Sequence, residues 1–201
     1  MKQTLVIMGC GGHARSVADV AIHCGYSDFV FVDEHAREHE FCLDFPVNRQ
    51  APSVIEACFI AYGDTYQRKE AINHVLGFQW PLVTIFSPHA TRGVGSSFQW
   101  GTIVAHHAHI GPMASIGMGC IINTGAIIEH DCQVGDFSHV SVNATLAGRV
   151  IIGQHVLIGA GAVVRDRVVI GDYVTVGAGA TVVHDLLTPG VYVGTPARLM
   201  G

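Results

Sequence analysis

The stretch IGPMASIGMGCIINTGAIIEHDCQVGDFSHVSVNATLAGRVIIG, residues 110–153, repeats one pattern of side chains every six residues. Steps of six from residue 110 to residue 182 meet only isoleucine, valine or leucine. The thirteen positions are Ile110, Ile116, Ile122, Ile128, Val134, Val140, Leu146, Ile152, Ile158, Val164, Ile170, Val176 and Val182. A small or β-branched side chain follows four residues after each of the first twelve, and glycine often follows the aliphatic directly. This period fits neither an α-helix nor the two-residue alternation of a hairpin strand.

A six-residue repeat is typical of a parallel β-helix, in which three hexads form one triangular coil of eighteen residues. The aliphatic side chain fills the interior beside the small one, and residues eighteen apart stack at roughly 4.8 Å, the spacing of paired strands. We expect the glycine after the aliphatic to relieve the backbone at each bend. The sequence therefore predicts a left-handed parallel β-helix with a C-terminal tail over residues 87–201; a β-sandwich with accidental spacing is the alternative.

Residues 1–86 follow a different pattern, in which short apolar strands alternate with helical spacing. TLVIM, FVFVD and CFIAYGD are predicted strands, whereas ARSVADVAIHCG and TYQRKEAINHVLG carry the spacing of helices. Strand–helix–strand order is typical of a parallel sheet with crossover helices. We therefore predict a Rossmann-like α/β domain over residues 1–86.

The composition excludes several classes of protein. With 49% hydrophobic and 13% charged residues among 201, the chain is not intrinsically disordered, and no apolar run reaches the ~18 residues of a membrane span. A net charge of −5 without a basic cluster argues against nucleic-acid binding. The six cysteines include no CxxC pair, and the apolar N-terminal segment is too short for a secretory signal, so we expect free thiols and a cytoplasmic protein.

The N-terminal domain carries a motif associated with nucleotide binding. GCGGHA, residues 9–14, follows a predicted strand, opens a predicted helix and matches G-x-G-x-x-G/A, with Asp33 ending the next strand. By itself this pattern indicates an NAD site, although the α/β half is short and no second mononucleotide-binding half follows it. Gly63 and Asp64 end the third strand and should line the same crevice. A tight turn without a ligand is the other interpretation.

The hexad pattern is interrupted at Glu129-His130-Asp131, where a histidine lies between two carboxylates. A neighbouring carboxylate fixes the tautomer of an imidazole and increases its basicity, as a general base requires. Stacking at eighteen residues places Gly148 in the column of His130. His139 lies half a coil away, on another face of the prism, so a shared site requires a neighbouring subunit and favours a homotrimer.

A second column of the predicted coil carries only small or medium side chains. Val142, Ala160 and Ala178 are eighteen residues apart and should stack on its outer surface. Such a column leaves a groove in which a long ligand can lie against backbone amides.

Several segments of the chain resemble bacterial hexapeptide-repeat sugar acyltransferases of the NeuD/PglD type, over nearly the whole length. The resemblance lies in GCGGHA, VFVDE, AYGD…R, NTGAIIEHDCQVGDFSHVSVNATLAG and GVYVGTPARLM. EHD followed by SHVS is the most specific part, since the hexads are common to many proteins. Some members carry Glu where this chain has Asp131.

The resemblance implies roles for individual residues. His130 would be the general base, Asp131 its acidic neighbour, and Gly148 the donor of a backbone N–H to the thioester carbonyl. The residues implied at the acetyl-CoA site are His139, Gly148, Ala160 and Ala178. Those implied at the nucleotide-sugar substrate are Gly11, Gly12, His13, Asp33, Glu34, Gly63, Asp64, Asn123 and Glu129, of which Asn123 and Glu129 would support the His130 region.

We therefore expect an acetyl-CoA-dependent N-acetyltransferase that acts on a nucleotide-activated amino-sugar without a metal. O-acetylation of a sialic acid is the nearest alternative. A γ-type carbonic anhydrase is a remote one, because its close H-x4-H pair has no counterpart near His130. A binding subunit without activity is a third, which the intact His130–Asp131 pair disfavours.

Overall fold

The structure, a computed structural model, describes residues 4–201 and divides into two compact units between Ile85 and Phe86. The sequence-based division falls after residue 86, and residues 1–3 of the predicted first domain lie outside the described part. Neither α1 nor α2, the helices of the described residues, is long and apolar enough to cross a bilayer.

The first unit is Rossmann-like, with a five-stranded sheet in the order β3-β4-β2-β1-β5. Its strands are β1 (Thr4–Met8), β2 (Asp28–Val32), β3 (Phe41–Cys42), β4 (Phe45–Asn48) and β5 (Cys58–Ile60), and its helices are α1 (Gly12–His23) and α2 (Thr65–Gly77). Strands β2 and β5 both pair in parallel with β1. The carboxyl ends of these three strands therefore meet at one edge of the sheet, where ligands of open α/β folds bind.

Sequence reasoning missed the antiparallel pair β3–β4. Its two-residue turn, Leu43-Asp44, has φ values of 50° and 66°. A left-handed turn usually uses Gly or Asn, so the usual sequence signal of a hairpin is absent here.

The second unit is a left-handed parallel β-helix, as predicted. Its strands are β6 (Ile85–Phe86), β7 (Thr91–Arg92), β8 (Ser97–Phe98), β9 (Ile103–Val104), β10 (His109–Ile110), β11 (Ser115–Ile116), β12 (Ile121–Ile122), β13 (Ile127–Ile128), β14 (Gln133–Val134), β15 (His139–Val140), β16 (Thr145–Leu146), β17 (Ile151–Ile152), β18 (Leu157–Ile158), β19 (Val163–Val164), β20 (Val169–Ile170), β21 (Val174–Val176), β22 (Thr181–Val182), β23 (Gly190–Val193) and β24 (Arg198–Leu199). They form three sheets, one on each side of the prism. The pairing of Ile110 with Ile128, and of Ile128 with Leu146, fixes the coil at eighteen residues.

The interior of the β-helix is filled by the hexad aliphatics. Each of the thirteen is at most 4% exposed, and small side chains such as Ala126 and Ala144 lie beside them at 0%. Burying an aliphatic side chain of this size contributes roughly 1.5–3 kcal/mol relative to leaving it in water. The periodic apolar interior therefore stabilises the coil.

The predicted role of the hexad glycine is wrong. The left-handed backbone at each bend occurs three residues after the aliphatic, and side-chain-bearing residues such as Asp131 (φ 60°) and Arg149 (φ 61°) adopt it. The glycine directly after the aliphatic instead faces the next coil: a Cβ on Gly111 would lie 2.6 Å from the backbone nitrogen of His130. Close approach of stacked backbones, rather than bending, explains this glycine.

Candidate active site

His130 follows β13 at a corner of the prism, where the chain turns toward the next sheet. Its Nδ1 lies 2.8 Å from Oδ2 of Asp131, and both side chains are about half exposed, at 45% and 48%. The left-handed backbone of Asp131 accompanies this contact between neighbouring residues, and the short side chain of aspartate is sufficient to reach the ring. With Nδ1–H donating to the carboxylate, Nε2 keeps the lone pair that accepts a proton.

Gly148 lies directly beneath the imidazole in the next coil. A Cβ at this position would lie 2.5 Å from Nε2 of His130 and 2.7 Å from Cε1, so a side chain there would displace the ring. Gly148 is buried, and within residues 4–201 its N–H donates to no backbone carbonyl. Pro112, which lacks an N–H, occupies the same column, so the coil does not need this donor.

Arg149 is a neighbour of the pair that sequence reasoning missed. Its Nε lies 3.9 Å from Oδ2 of Asp131, and its side chain is half exposed. The eighteen-residue stacking rule contains the signal, since Arg149 is the residue eighteen positions after Asp131. The carboxylate thus faces a guanidinium as well as the histidine.

His139 lies on a different sheet from β13, in β15 beside β12. Its Nε2 is 3.2 Å from Nδ2 of Asn123. The structure therefore brings Asn123 to His139 and not to His130, and it leaves the two histidines on separate faces of one chain. Glu129, which lies between β13 and His130, pairs its backbone N–H with the carbonyl of Leu146.

Ala160 and Ala178 lie in one exposed column with Val142. The glycines that follow the two alanines, Gly161 and Gly179, would have nothing within 4 Å of an added Cβ. This strip of the β-helix is consequently open enough for an extended ligand to lie along it.

The first unit holds a cleft of about 710 Å³ at the carboxyl ends of β1, β2 and β5. Six of the predicted substrate residues line it, together with other residues that sequence reasoning missed, namely Cys10, His35, Tyr62, Gln67 and Glu70. The six are Gly11, Gly12, His13, Asp33, Glu34 and Gly63. Gly9 allows the first loop to approach the Tyr62 ring, because it has φ 103° and its Cβ would lie 3.0 Å from that ring.

Asp64 does not line the cleft. Its carboxylate caps α2 by accepting a hydrogen bond of 2.9 Å from the backbone N–H of Gln67. An aspartate three residues before a backbone N–H in a first helical turn is a strongly preferred N-cap. An aspartate after a strand can either contact a ligand or cap the next helix. Only the position at which the helix begins distinguishes these two roles.

Burial and charge alter the proton affinities of two cleft residues. Burial, followed by the nearby Arg68 guanidinium, lowers the pKa of His13 from 6.5 to about 4. Burial, followed by the hydrogen bond to Asp33, raises the pKa of the Cys10 thiol from 9.0 to about 11. Near neutral pH His13 is therefore uncharged, and the Cys10 thiol stays protonated as a donor to Asp33 Oδ2 at 3.5 Å.

Comparison with protein families finds matches in both units. A model described as the PglD N-terminal domain matches residues 4–75. A model of the bacterial transferase hexapeptide, with six repeats, matches residues 149–184. No curated protein sequence matches the chain significantly.

Solved structures similar to this chain extend over its whole length. The acetyltransferase domain of PglB from Neisseria gonorrhoeae FA1090, in complex with acetyl coenzyme A, is 30% identical, covers 100% of both chains and superposes with a TM-score of 0.91. A mutant perosamine N-acetyltransferase from Caulobacter crescentus, in complex with CoA and GDP-perosamine, is 30% identical over 100% of this chain and 98% of that one, with a TM-score of 0.93. WeeI from Acinetobacter baumannii AYE, at 20% identity, 98% and 100% coverage and a TM-score of 0.84, shows the fold alone.

Proposed function

This chain belongs to the NeuD/PglD-type family of hexapeptide-repeat sugar acyltransferases, and on that premise we propose that it transfers the acetyl group of acetyl-CoA to the amino group of a nucleotide-activated sugar. The observation that carries the proposal is the corner of the β-helix at His130. There Nδ1 is held at 2.8 Å by Asp131, and Nε2 lies over a glycine at which any side chain would displace the ring.

His130 acts as the general base in the proposed reaction. The neutral amine attacks the thioester carbonyl, a C–N bond forms, and Nε2 of His130 accepts the proton that the nitrogen sheds. Asp131 holds the Nδ1–H tautomer and stabilises the imidazolium that forms. The thiolate of CoA leaves when the tetrahedral intermediate collapses, and it takes up the proton from the His130 imidazolium, which restores the neutral base.

Gly148 stabilises the developing oxyanion through its backbone N–H. Support for this role comes from its position beneath Nε2 and from the absence, within residues 4–201, of a backbone carbonyl that accepts this N–H. Loss of one oxyanion donor typically costs roughly 10²–10³ in kcat. The open strip at Ala160 and Ala178 is the proposed path of the CoA chain, since only small side chains occupy it.

The cleft of the first unit is the proposed site of the nucleotide part of the acceptor. Asp33 directly follows β2, where an acidic residue of a Rossmann-like fold accepts hydrogen bonds from ribose hydroxyls. Its carboxylate is held by the backbone N–H of His35 at 3.0 Å and by the Cys10 thiol at 3.5 Å. A carboxylate fixed in this way is suited to orient a ribose.

His139 joins the acetyl-CoA site from a second subunit in this proposal, because within one chain it lies on another sheet of the prism. The catalytically complete form would then be a cyclic trimer. Light scattering of the active protein measures the oligomeric state directly; an active monomer would exclude a site shared between subunits.

The experiment that tests the proposed function is acetyl transfer to a panel of UDP-, GDP- and dTDP-linked amino-sugars, with release of free CoA thiol and the mass of the product as readouts. We expect one acceptor to gain an N-acetyl group at a rate that depends on His130. Sialic acid is included as an acceptor without a free amine. Transfer to that sugar alone, or to none of the panel, would contradict the proposal.

A further inference from the structure

The cleft of the first unit is lined by negative rather than positive side chains. Three carboxylates line it, those of Asp33, Glu34 and Glu70, and none of its described lining residues is Lys or Arg. The acceptor assigned to this cleft by the proposed function carries a diphosphate, which adds negative charge. A source of positive potential is needed for such a ligand to bind.

His13 does not supply this charge. It lies at the start of α1 in the lining, but its pKa of about 4 leaves the ring neutral at the pH at which the enzyme would work. The N-terminus of α1 offers backbone N–H groups, since Gly11 caps it without a side-chain hydrogen bond and its first turn has no acidic residue. A helix end contributes only about half an elementary charge, against three carboxylates.

Arg68 is the cation behind the cleft. It lies in α2 and is 1% exposed. Its Nη1 donates to the carbonyls of Tyr62 and Gly63, at 2.9 Å and 2.8 Å, and both of these residues line the cleft. After burial, the charge of this guanidinium is the second cause that lowers the pKa of His13, a residue in the first turn of α1.

We propose that Arg68 is the positioning residue that lets this acidic cleft bind the diphosphate of a nucleotide-sugar. Its guanidinium holds the Tyr62–Gly63 turn with two hydrogen bonds and places a permanent positive charge behind the backbone N–H groups of α1. Because the charge is buried, water and salt screen it less than a surface charge. The inference rests on the proposed function, since it takes the nucleotide part of the acceptor to lie in this cleft.

The guanidinium of Arg68 can favour diphosphate binding without contacting the diphosphate, because it acts through the two carbonyls that it holds. The Tyr62 and Gly63 carbonyls would otherwise present their negative ends near the diphosphate, and hydrogen bonds from Arg68 direct them into the protein. Arginine suits this place because Nη1 carries two N–H groups, which serve the two carbonyls, and because the guanidinium remains charged when buried. A lysine there would keep the charge but not the planar geometry of these donors.

Calorimetric binding of nucleoside diphosphates and their parent nucleosides tests this inference. The probes are UDP, GDP and dTDP with uridine, guanosine and thymidine, measured with the wild-type protein, Arg68→Met, Arg68→Lys and the control Lys69→Met. Lys69→Met removes one positive charge from the adjacent position, outside the cleft lining. We expect Arg68→Met to lose about 10- to 100-fold in affinity for the preferred diphosphate. This is the size of one charge–charge interaction at an effective dielectric constant of about 20. The affinity for the parent nucleoside should change by less than about threefold.

Arg68→Lys should recover part of the lost diphosphate affinity, whereas Lys69→Met should match the wild type. If Arg68→Met weakens the binding of the diphosphate and of the nucleoside by the same factor, or weakens the binding of neither, Arg68 has only a structural role and the inference is wrong. If the wild type binds none of the diphosphates, the proposed function fails, which separates the two failures. If Arg68→Met does not fold, the salt dependence of diphosphate binding to the wild-type protein tests the inference instead. A buried cation predicts a weak dependence, because salt screens buried charges less than exposed ones. An affinity that falls with salt as steeply as it does for exposed charge pairs would assign the binding to another cation, and the inference would be wrong.

Discussion

Replacing Gly148 with alanine should abolish most of the activity through one methyl group. The new Cβ would lie 2.5 Å from Nε2 of His130, whereas ordinary van der Waals contact begins near 3.4 Å, so the imidazole must move by about 1 Å. A misplacement of that size at a reacting group costs on the order of 10²-fold in rate. We expect kcat to fall by about 10²-fold.

The fold should survive this substitution. Gly148 is not among the residues with a left-handed backbone, so alanine is conformationally allowed, and the ring that must yield is about half exposed. The measurement is kcat and KM for both substrates, with thermal unfolding in parallel. Gly77→Ala is the matched control, since nothing lies within 4 Å of a Cβ there. If the Gly148→Ala enzyme is as stable as the wild type and keeps more than about a tenth of the wild-type kcat, then His130 is not the base that this geometry assigns.

Three further predictions follow from the same two sites. His130→Ala should lose about 10²–10⁴ in kcat, the usual contribution of a positioned base; Asp131→Asn should lose less, because the imidazole remains, and the reverse order in steady-state kinetics would assign the base elsewhere. Asp33→Ala should raise the acceptor KM and leave the acetyl-CoA KM nearly unchanged; a change confined to the acetyl-CoA KM would contradict the proposed cleft. Alkylation of Cys10 by iodoacetamide, measured by mass spectrometry of the modified peptide, should be slow at pH 7–8. It should accelerate as the pH approaches the pKa of the thiol, about 11, because the thiolate is the nucleophile. Rapid alkylation at pH 7 would show that Asp33 does not hold the thiol.

The geometry around His130 on the β-helix was largely predictable because stacking converts sequence distance into spatial distance. His130 and Gly148 are eighteen residues apart, and the structure places one directly above the other. The same rule would have found Arg149 beside Asp131. The distance between His130 and Asp131 was not predictable, because it depends on a left-handed corner that aspartate adopts without any glycine signal.

The cleft of the first unit was predicted less completely. The glycines of the first loop and Asp33 at the end of β2 follow from the order of elements, and they line the cleft. Asp64 was assigned to it wrongly, because whether an aspartate after a strand faces a ligand or caps the next helix depends on where the helix begins. Arg68 is the arginine of the segment AYGD…R, for which the resemblance implied no role, and its burial emerges from packing.

The sequence by itself determined the coil of this protein, its interior and the columns along it, since a β-helix makes its contacts at one fixed chain separation and every hexad repeats the same local choice. Only the tertiary structure decided which polar groups face one another: Arg68 with the Tyr62 and Gly63 carbonyls, Cys10 with Asp33, and Asn123 with His139. Side-chain contacts of this kind depend on rotamers, helix starts and the packing of elements that no repeat relates. Hydrophobic periodicity records which residues avoid water, but a hydrogen bond of about 3 Å requires two atoms to be placed by the whole fold.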